Sequence, residues 1–320
     1  MSLKRILVGA CGWEYFPVKY HKLREYSRLF DAIEVNTTFY KIPSLKIVKK
    51  WRREVKKDFI FTVKAHRDIT HTYRFKLKRE VLEKFEYMVK ICNILRAKLL
   101  VLQIPYNQKP TSSFLRHLEN FLEYANSYDL DLGVEARGPD WRNNRALLKS
   151  ILSRFEVTHV FDASYEEPVY HTNVVYSRIY GKGYHTLWVL DDEEVKRISD
   201  LARKYADENL VFLMGHGCRM YDDAIRIKVY IEDNYLLPIY PVKGLSAVRM
   251  AILENPKFPA SKEDLIRLHG WKVVDISDKK RVRLSKILEN IEDRTYNSIY
   301  DLLKEIKNYL YIATKGNRDF

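Results

Sequence analysis

Eight short apolar runs alternate with helical stretches as far as residue 217, and this alternation constrains the fold more than any other feature of the chain. The helical stretches repeat apolar residues at helical spacing, whereas the runs between them are short and strand-like. Strands that alternate with helices predict a parallel sheet, and eight strands are the number that closes a barrel. The predicted strands are 6–13, 32–39, 59–66, 98–105, 130–137, 157–164, 173–181 and 209–217, and the predicted helices between them include 44–56, 80–96, 112–127, 143–153 and 192–205.

An open, doubly wound α/β sheet is the alternative architecture. It requires a glycine-rich phosphate turn after the first strand, and Gly9 and Gly12 do not form the GxGxxG pattern. We therefore predict an α/β fold in which residues 1–254 form a (β/α)8 TIM barrel that closes with helices over 220–232 and 245–254.

A change in composition near ENPKFP, residues 254–259, predicts a linker. Beyond it we predict a small, mostly helical C-terminal module over 255–313 and a frayed tail over 314–320. Within the module, Ser261 with Asp264 predicts a helix N-terminus. A short strand at 271–276 and helices over 283–291 and 298–312 follow.

Polar residues fall at the carboxyl ends of the predicted strands. Alternation along a strand puts Glu34 with Asn36 on one face, and Glu135 with Arg137 on one face of a later strand. The inward positions that precede them are mostly small or apolar. A packed barrel interior with its site at the C-terminal rim, where the strands end, gives this pattern. The other strand-end residues are Lys64, Gln103, Asp162, Tyr176, Arg178, Tyr180, Met214 and His216.

The balance of charge favours a polyanionic partner. Lys plus Arg outnumber Asp plus Glu by 56 to 42, a net charge of +14, and a basic surface binds polyanions through counterion release. We predict nucleic acid or a phosphorylated small molecule as the partner. The alternative is a composition suited to high temperature, because Lys, Arg, Glu and Tyr are abundant and only Gln103 and Gln108 are glutamines.

The sequence also predicts where the protein works. No apolar run approaches the roughly 20 residues of a membrane span, and no signal peptide is evident, so we expect a cytoplasmic protein without a membrane partner. Cys11, Cys92 and Cys218 form no CxxC motif, which favours reduced thiols over disulfides. The sequence leaves the oligomeric state open.

Several motifs together resemble the DUF72 (YecE-like) family. They are GACGWEY (9–15), FDAIEVNTTFYKIPS (30–44), FTVKAHRDITH (61–71), LQIP (102–105), GVEARGPDW (133–141) and YSRIYG (176–181). The resemblance covers roughly residues 6–235 and implies a TIM barrel of the xylose-isomerase-like kind, without an established reaction. Residues 258–303 also resemble, in part, the small helical DUF2795 module. The family motifs fall on Gly12, Trp13, Glu34, Asn36, Phe39, Tyr40, Lys64, His71, Gln103, Glu135 and Arg137.

The chain departs from the DUF72 pattern in two strands. The seventh strand of the family usually reads RLHG, where this chain has RIYG with Tyr180. The eighth usually ends in paired asparagines, where this chain has Met214, Gly215 and His216. Roles implied by the resemblance therefore do not extend to these two strands.

The strand-end residues can support several kinds of chemistry. Lys64 can form a Schiff base if burial and nearby arginines lower its pKa, or it can stay charged and hold a phosphate. Arg137 and Arg178 suit a bidentate grip on phosphate or carboxylate. Glu135, with Glu34 or Asp162, can act as a general base. We predict Lys64, Glu135, Glu34 and Asp162 as catalytic, and Asn36, Tyr40, His71, Gln103, Arg137, Arg178, Tyr180, His216 and Trp13 as substrate-binding.

A divalent metal (Mg, Mn or Zn) is a further hypothesis. Its ligand candidates are His66, His71, Glu135, Asp162 and His216, whose types suit such ions. The spacing argues against it, because there is no HxxEH-like or HxH motif, and a lysine in the ring opposes a cation. Cys11 with His216 is a candidate nucleophile pair, although a lone cysteine beside a glycine is more often packed.

Aromatic and basic residues are interleaved in the loops that follow the strands. Aromatic faces stack on nucleobases while Lys and Arg follow phosphates, so this interleaving suits single-stranded or flipped nucleotides. The aromatic residues are Trp13, Tyr15, Phe39, Tyr40, Tyr73, Tyr106, Tyr184, His185 and Trp188, and the bases are Lys19, Lys41, Arg67, Arg74, Lys109 and Lys182.

Three functional hypotheses follow. The leading one is an enzyme that cleaves a phosphodiester or base–sugar bond in nucleic acid or in another phosphorylated, sugar-containing substrate, a nuclease-like or repair-like hydrolase or lyase. The second is a sugar or sugar-phosphate isomerase or aldolase that uses the same residues. The third is a non-catalytic scaffold that binds nucleic acid or protein.

Overall fold

The structure is a computed structural model that describes residues 5–183 and 186–315, with side chains as far as residue 310. Eight parallel strands pair in sequence order, and the first also pairs with the last, so the sheet closes into a barrel. Each strand lies within one of the eight predicted runs, and the predicted TIM barrel is confirmed. The strands are β1 Ile6–Ala10, β2 Ala32–Val35, β3 Ile60–Lys64, β4 Leu100–Ile104, β5 Leu132–Ala136, β6 Thr158–Phe161, β7 Val174–Ile179 and β8 Leu210–Gly215.

Helices connect most of the strands. In the described residues, the link from β6 to β7 (162–173) contains no helix, whereas a π-helical turn, Asp68–Thr72, follows β3. Thr111 caps one helix by accepting a hydrogen bond from the Phe114 N–H at 3.3 Å. The helices up to β8 are α1 Lys22–Leu29, α2 Thr37–Tyr40, α3 Leu45–Glu54, α4 Arg79–Leu95, α5 Ser112–Ala125, α6 Pro139–Arg142, α7 Arg145–Arg154 and α8 Asp192–Ala206.

The barrel interior is filled by alternate residues of the strands. Small and apolar side chains occupy its lower part, and polar side chains follow two residues later on several strands. For example, β2 places Ala32 and then Glu34 inward, and β4 places Val101 and then Gln103 inward. The packed residues include Leu7, Cys11, Ala32, Leu99, Val101, Val160, Val174, Tyr176, Phe212 and Met214.

The chain divides into two compact units. The first comprises the described residues up to 180 together with 198–216 and contains the barrel strands, and the second comprises 181–197 and the described residues from 217 onwards. The predicted domain boundary between residues 254 and 255 lies inside the second unit and stays a prediction. The remaining elements are α9 Met220–Asp233, α10 Leu245–Leu253, β9 Ala260–Ser261, α11 Lys262–His269, β10 Val273–Ser277, β11 Lys280–Arg283, α12 Ser285–Leu288, β12 Thr295–Tyr296 and α13 Ile299–Lys315.

The second unit has its own apolar core, to which α10, α11, α12 and α13 contribute. Ser261 caps α11 as predicted, because its hydroxyl accepts from the Asp264 N–H at 3.1 Å. The helix predicted over 283–291 is shorter in the structure, since residues 280–283 form β11 and pair antiparallel with β10. Residues 314 and 315 of the predicted tail continue α13, and residues 316–320 lie outside the described residues.

No helix in the described ranges has the length and apolar character needed to cross a bilayer.

Candidate active site

The candidate site lies at the C-terminal rim of the barrel. Lys64 is the last residue of β3, and Asp162 and His216 directly follow β6 and β8. Gln103 and Glu135 are register partners on β4 and β5. Parallel strands all end at the same edge of a closed barrel, so separate strands bring these side chains to one place.

A network around Arg178 forms the buried part of the site. Arg178 on β7 is fully buried, and its Nη1 donates to Glu135 Oε2 at 2.5 Å. Its Nη2 lies 3.2 Å from Glu34 Oε1, so one guanidinium faces two carboxylates. We call this set the Arg178 network, and its members are Arg178, Glu34, Glu135, Gln103, Tyr176 and Tyr180.

Glu135 has a partner for each of its oxygens. Oε2 accepts from Gln103 Nε2 at 2.6 Å as well as from Arg178, and Oε1 accepts from the Tyr180 hydroxyl at 2.9 Å. Burial alone would raise the pKa of Glu135, but the charges of Arg178, Arg137 and Lys64 lower the pKa to about 2. A carboxylate held this firmly in its charged form is a weak base, which disfavours general-base catalysis by Glu135.

Glu34 has a different partner for each of its carboxylate oxygens. Its Oε2 accepts from the Tyr176 hydroxyl at 2.9 Å, and that hydroxyl also lies 2.7 Å from Thr62 Oγ1. The contact between Glu34 Oε1 and Arg178 Nη2 is an ion pair without hydrogen-bond alignment, and neither atom has another hydrogen-bond partner among the described residues. Electrostatic attraction therefore holds these two groups together.

Lys64, unlike Glu34 and Glu135, has no charged partner in contact within the described part of the chain. Its side chain is only 6% exposed, yet its ammonium makes no hydrogen bond or ion pair with any described residue. Its Nζ lies over the Phe39 ring, 4.0 Å from the centroid. Burial lowers the pKa of Lys64 to about 8, and Arg178 and Arg137 act in the same direction against the raising effect of Glu135 and Glu34. Roughly a tenth of Lys64 is therefore uncharged at pH 7, far more than of an exposed lysine.

His71 and Arg137 complete the surroundings of Lys64. The His71 ring packs edge-on against Phe39 with centroids 5.0 Å apart. Burial, together with Lys64 and Arg137, lowers the pKa of His71 to about 4, so its ring is neutral at pH 7. Arg137 has a side chain that is 35% exposed, and its nearest carboxylate contact is Glu135 Oε1 at 4.0 Å. We call Lys64, Phe39, His71 and Arg137 the Lys64 group.

Asp162 is the other carboxylate of the rim, and its environment is opposite to that of Glu135. Its Oδ1 accepts from the Ser164 N–H at 2.8 Å. Burial raises the pKa of Asp162 to about 7, an effect that hydrogen bonds from Ser164 and the Tyr180 backbone only partly offset. Asp162 can therefore both give and take a proton at neutral pH, which suits general acid–base work.

Tyr180 and His216 lie against each other, with ring centroids 4.4 Å apart. These are positions at which the chain departs from the DUF72 pattern. Burial lowers the pKa of His216 well below its ordinary value, and its Nδ1 has no hydrogen-bond partner among the described residues. His216 is therefore a neutral ring that supports Tyr180, which in turn donates to Glu135.

Other predicted residues contact neighbouring parts of the barrel rim. Asn36 donates from its side chain to the Cys11 carbonyl at 2.8 Å, which links the ends of β1 and β2. Trp13 packs edge-on against Trp51 with centroids 5.2 Å apart. Burial raises the pKa of the Cys11 thiol well above its usual value, which disfavours a nucleophilic thiolate.

The five metal-ligand candidates do not assemble into a metal site. No group of three or more His, Cys, Asp or Glu side chains in the described part of the chain is arranged to hold an ion. His66 has another partner, since its Nδ1 accepts from the Asp68 N–H at 3.2 Å. Of the candidates, Glu135 is the one bound within the Arg178 network.

The predicted loop aromatics differ in exposure. Tyr40 is 72% exposed, and Tyr15 and Tyr106 are exposed as well. Trp188 belongs to the second unit, where the Arg283 guanidinium lies 3.6 Å from its ring centroid. Tyr184 and His185 lie outside the described residues.

Two partners in the site were not assigned a role from the sequence. Tyr176 was placed on the inward face of its strand, but its bond to Glu34 depends on a contact across the barrel. Phe39 was counted among the loop aromatics, and only the structure shows that its ring lies under the Lys64 ammonium. The signal that was available for Tyr176 is its two-residue spacing from Arg178 on the same strand.

These features define a TIM-barrel protein with a charged site at the C-terminal rim. A family model described as a protein of unknown function, DUF72, matches residues 7–233, and the chain belongs to that family. The protein YecE of Escherichia coli K12 is 29% identical over 120 residues, which cover 37% of this chain and 42% of YecE. The matched stretch thus spans less than half of that relative.

Solved structures of the family share the fold. A DUF72 family protein of Enterococcus faecalis V583 has a TM-score of 0.58 at 18% identity, covering 72% of this chain and 96% of that one. A DUF72 family protein of Thermotoga maritima MSB8 has a TM-score of 0.58 at 20% identity, covering 72% of this chain and all of that one. At this level of identity the likeness extends to the barrel fold alone.

Proposed function

We propose that this protein is an enzyme that acts on a phosphorylated, sugar-containing substrate, with Lys64 as its reactive amine. The observation that carries the proposal is the state of Lys64. Lys64 is almost buried at the rim, its ammonium has no hydrogen-bond acceptor among the described residues, and its pKa is lowered to about 8. A desolvated lysine beside other cations is the usual form of an amine that attacks a carbonyl.

The chemistry of such a step can be assigned to named residues. The neutral Lys64 amine adds to the carbonyl carbon of an open-chain sugar, which forms a C–N bond. The nitrogen gives up its two protons, the carbonyl oxygen takes up two and leaves as water, and the product is an imine. Asp162, with its pKa raised to about 7, is suited to supply and recover protons in this step.

The charge of the site favours an anionic substrate. Lys64, Arg137 and Arg178 are cations, and Arg178 already faces both Glu34 and Glu135. Arg137 is the arginine that remains partly exposed, and its Nε has no hydrogen-bond partner among the described residues. We therefore assign the phosphate grip to Arg137 and a supporting role to Arg178.

Cleavage of nucleic acid, at a base–sugar or phosphodiester bond, is the second candidate function. It is favoured by the net charge of +14 and by the exposed rings of Tyr15 and Tyr106 in the loops after β1 and β4. A lysine that attacks the sugar carbon of a damaged nucleotide would use the same site. The isomerase or aldolase version of the proposal uses the same amine on a free sugar phosphate.

Reductive trapping tests the proposal. The purified protein is incubated with ribose 5-phosphate and sodium cyanoborohydride, and the modified peptide is identified by mass spectrometry. We expect one dominant adduct on Lys64, its loss in Lys64→Met, and at least a tenfold slower reaction with unphosphorylated ribose. Adducts spread over surface lysines, with Lys64→Met labelled to the same extent, would exclude the reactive amine.

A further inference from the structure

Tyr40 is an exposed aromatic ring at the edge of the Lys64 group. It is the last residue of α2, the short helix that follows β2, and its side chain is 72% exposed. No hydrogen bond of its hydroxyl to a described residue is present. Its ring contacts Phe39 edge-on, with centroids 5.0 Å apart and an angle of 86° between the planes.

The position of Tyr40 is fixed relative to the amine. Phe39 is buried, and its ring contacts Tyr40 on one side and carries the Lys64 ammonium at 4.0 Å. The His66 ring lies near the Tyr40 backbone, and its Nδ1 accepts from the Asp68 N–H at 3.2 Å. A single buried ring therefore separates the exposed tyrosine from the reactive nitrogen.

The surroundings of Tyr40 suit a planar group linked to a phosphate. The next residue, Lys41, is exposed, and so is Arg67 beside His66. Flat heteroaromatic rings stack on tyrosine faces, and exposed Lys and Arg side chains in the same loops attract the phosphates of neighbouring nucleotides. A simple sugar phosphate offers no group for the exposed ring.

We propose that Tyr40 forms a stacking subsite for a nucleobase, so that the phosphorylated sugar bound at Lys64 belongs to a nucleotide. In that substrate the Lys64 amine attacks C1′, the C1′–N bond to the base breaks, and the base leaves with a proton. This inference rests on the proposed function and names its substrate class. The shared chemistry is a base, a sugar and a phosphate in one unit. Its source is either a free nucleotide or a nucleotide within a single strand.

Binding of a fluorescent nucleotide tests the subsite without relying on the reaction. The probe is 2-aminopurine riboside 5′-monophosphate, whose emission is quenched when its base stacks on an aromatic ring. We expect quenching with the unmodified protein and with Tyr40→Phe. In Tyr40→Ala the Kd rises by about 5- to 150-fold, the range for one base–aromatic stack.

Matched controls isolate the stacking effect. Tyr300→Ala removes a ring of similar exposure, 74%, from α13, and its nucleotide affinity should be unchanged. The affinity for ribose 5-phosphate should stay within twofold in Tyr40→Ala. Competition by a single-stranded oligonucleotide at least tenfold better than by the mononucleotide assigns the source to a strand, and equal competition assigns it to the free nucleotide.

Two outcomes would overturn the subsite. One is that the fluorescent nucleotide does not bind to the unmodified protein. The other is that Tyr40→Ala lowers the affinity for the nucleotide and for ribose 5-phosphate by the same factor. If Lys64 is still trapped by ribose 5-phosphate, either result excludes a nucleotide as the substrate but keeps Lys64 as the reactive amine. Failure of trapping, with Tyr40-dependent quenching intact, rejects the reaction instead.

Discussion

The Arg178 network and the Lys64 group lie at the same rim, but the cation of the first is paired with carboxylates and the cation of the second is not. In the network, a fully buried cation faces two carboxylates, and Glu135 accepts hydrogen bonds at both oxygens. In the group, a nearly buried ammonium contacts an aromatic face and no carboxylate. Paired buried charges hold a structure in one arrangement, whereas an unpaired one is available for chemistry.

The largest effect is expected at the centre of the network. Arg178→Met leaves Glu34 and Glu135 buried without their cation, and such a loss costs about 3–5 kcal/mol of unfolding free energy. Urea unfolding at pH 7 measures this cost. Adding Glu34→Gln and Glu135→Gln to the same chain should recover most of the loss, because no unpaired charge remains. A cost below about 1 kcal/mol for Arg178→Met would show that the network is not structural.

Lys64→Met should raise the free energy of unfolding, whereas Arg178→Met lowers it. The pKa of Lys64 falls from 10.5 in the unfolded chain to about 8 in the folded one, so the charged lysine opposes folding below pH 8. Removing it should stabilise the protein by up to about 3 kcal/mol at pH 7. The gain should shrink as pH rises from 8 and vanish above about 10.5. Thermal unfolding of both proteins across this range measures it, and a variant that is less stable at pH 7 contradicts the assignment.

Asp162→Asn should affect the reaction more than the fold. If Asp162 transfers the protons of imine formation, the rate of trapping with ribose 5-phosphate should fall by about 100-fold. The inflection of the rate near pH 7, which reflects the raised pKa of Asp162, should disappear. Glu135→Gln serves as the comparison, since the pKa of Glu135 is lowered to about 2 and that variant should keep the inflection. If the pH dependence of the trapping rate is unchanged in Asp162→Asn, Asp162 does not transfer protons in this reaction.

The smallest effect is expected at Arg137, which is partly exposed. Arg137→Gln should weaken the binding of ribose 5-phosphate by about 10- to 100-fold, the contribution of a charge-assisted hydrogen bond. The binding of ribose should be unaffected. The unfolding free energy of Arg137→Gln should change by less than that of Arg178→Met, because the Arg137 side chain is partly exposed and makes no close ion pair with a described residue. Saturation curves for both sugars in the trapping assay provide the measurement. Equal losses for the two sugars would place the phosphate elsewhere.

The sequence predicted the barrel and the place of the polar cluster because both depend on local patterns. Strand alternation sends Glu34, Gln103 and Arg178 inward, and parallel strands end at one edge, whatever the details of packing. The helix over 283–291 was predicted too long for a related reason. Pairing between β10 and β11 is a contact between segments, and it outweighed the helical pattern at Arg283.

The roles within the cluster could not be read from the sequence. Glu135 and Asp162 are both carboxylates that end strands, yet the pKa of one is lowered and the pKa of the other is raised. The difference comes from Arg178 and Gln103, which reach Glu135 from other strands. Likewise, nothing local shows that Lys64 meets an aromatic face instead of a carboxylate. The nucleic-acid partner, the cytoplasmic location and the use of a metal stay predictions.

The titration of Lys64 itself tests the contrast between the two regions most directly. Proteins labelled with 13C at the lysine ε-carbons are titrated by NMR, and the Lys64 signal is assigned by its absence in Lys64→Met. We expect a midpoint at about pH 8, well below the midpoints of exposed lysines. A midpoint near 10.5 would show that the ammonium is paired or solvated after all, and the case for a reactive amine at this rim would fail.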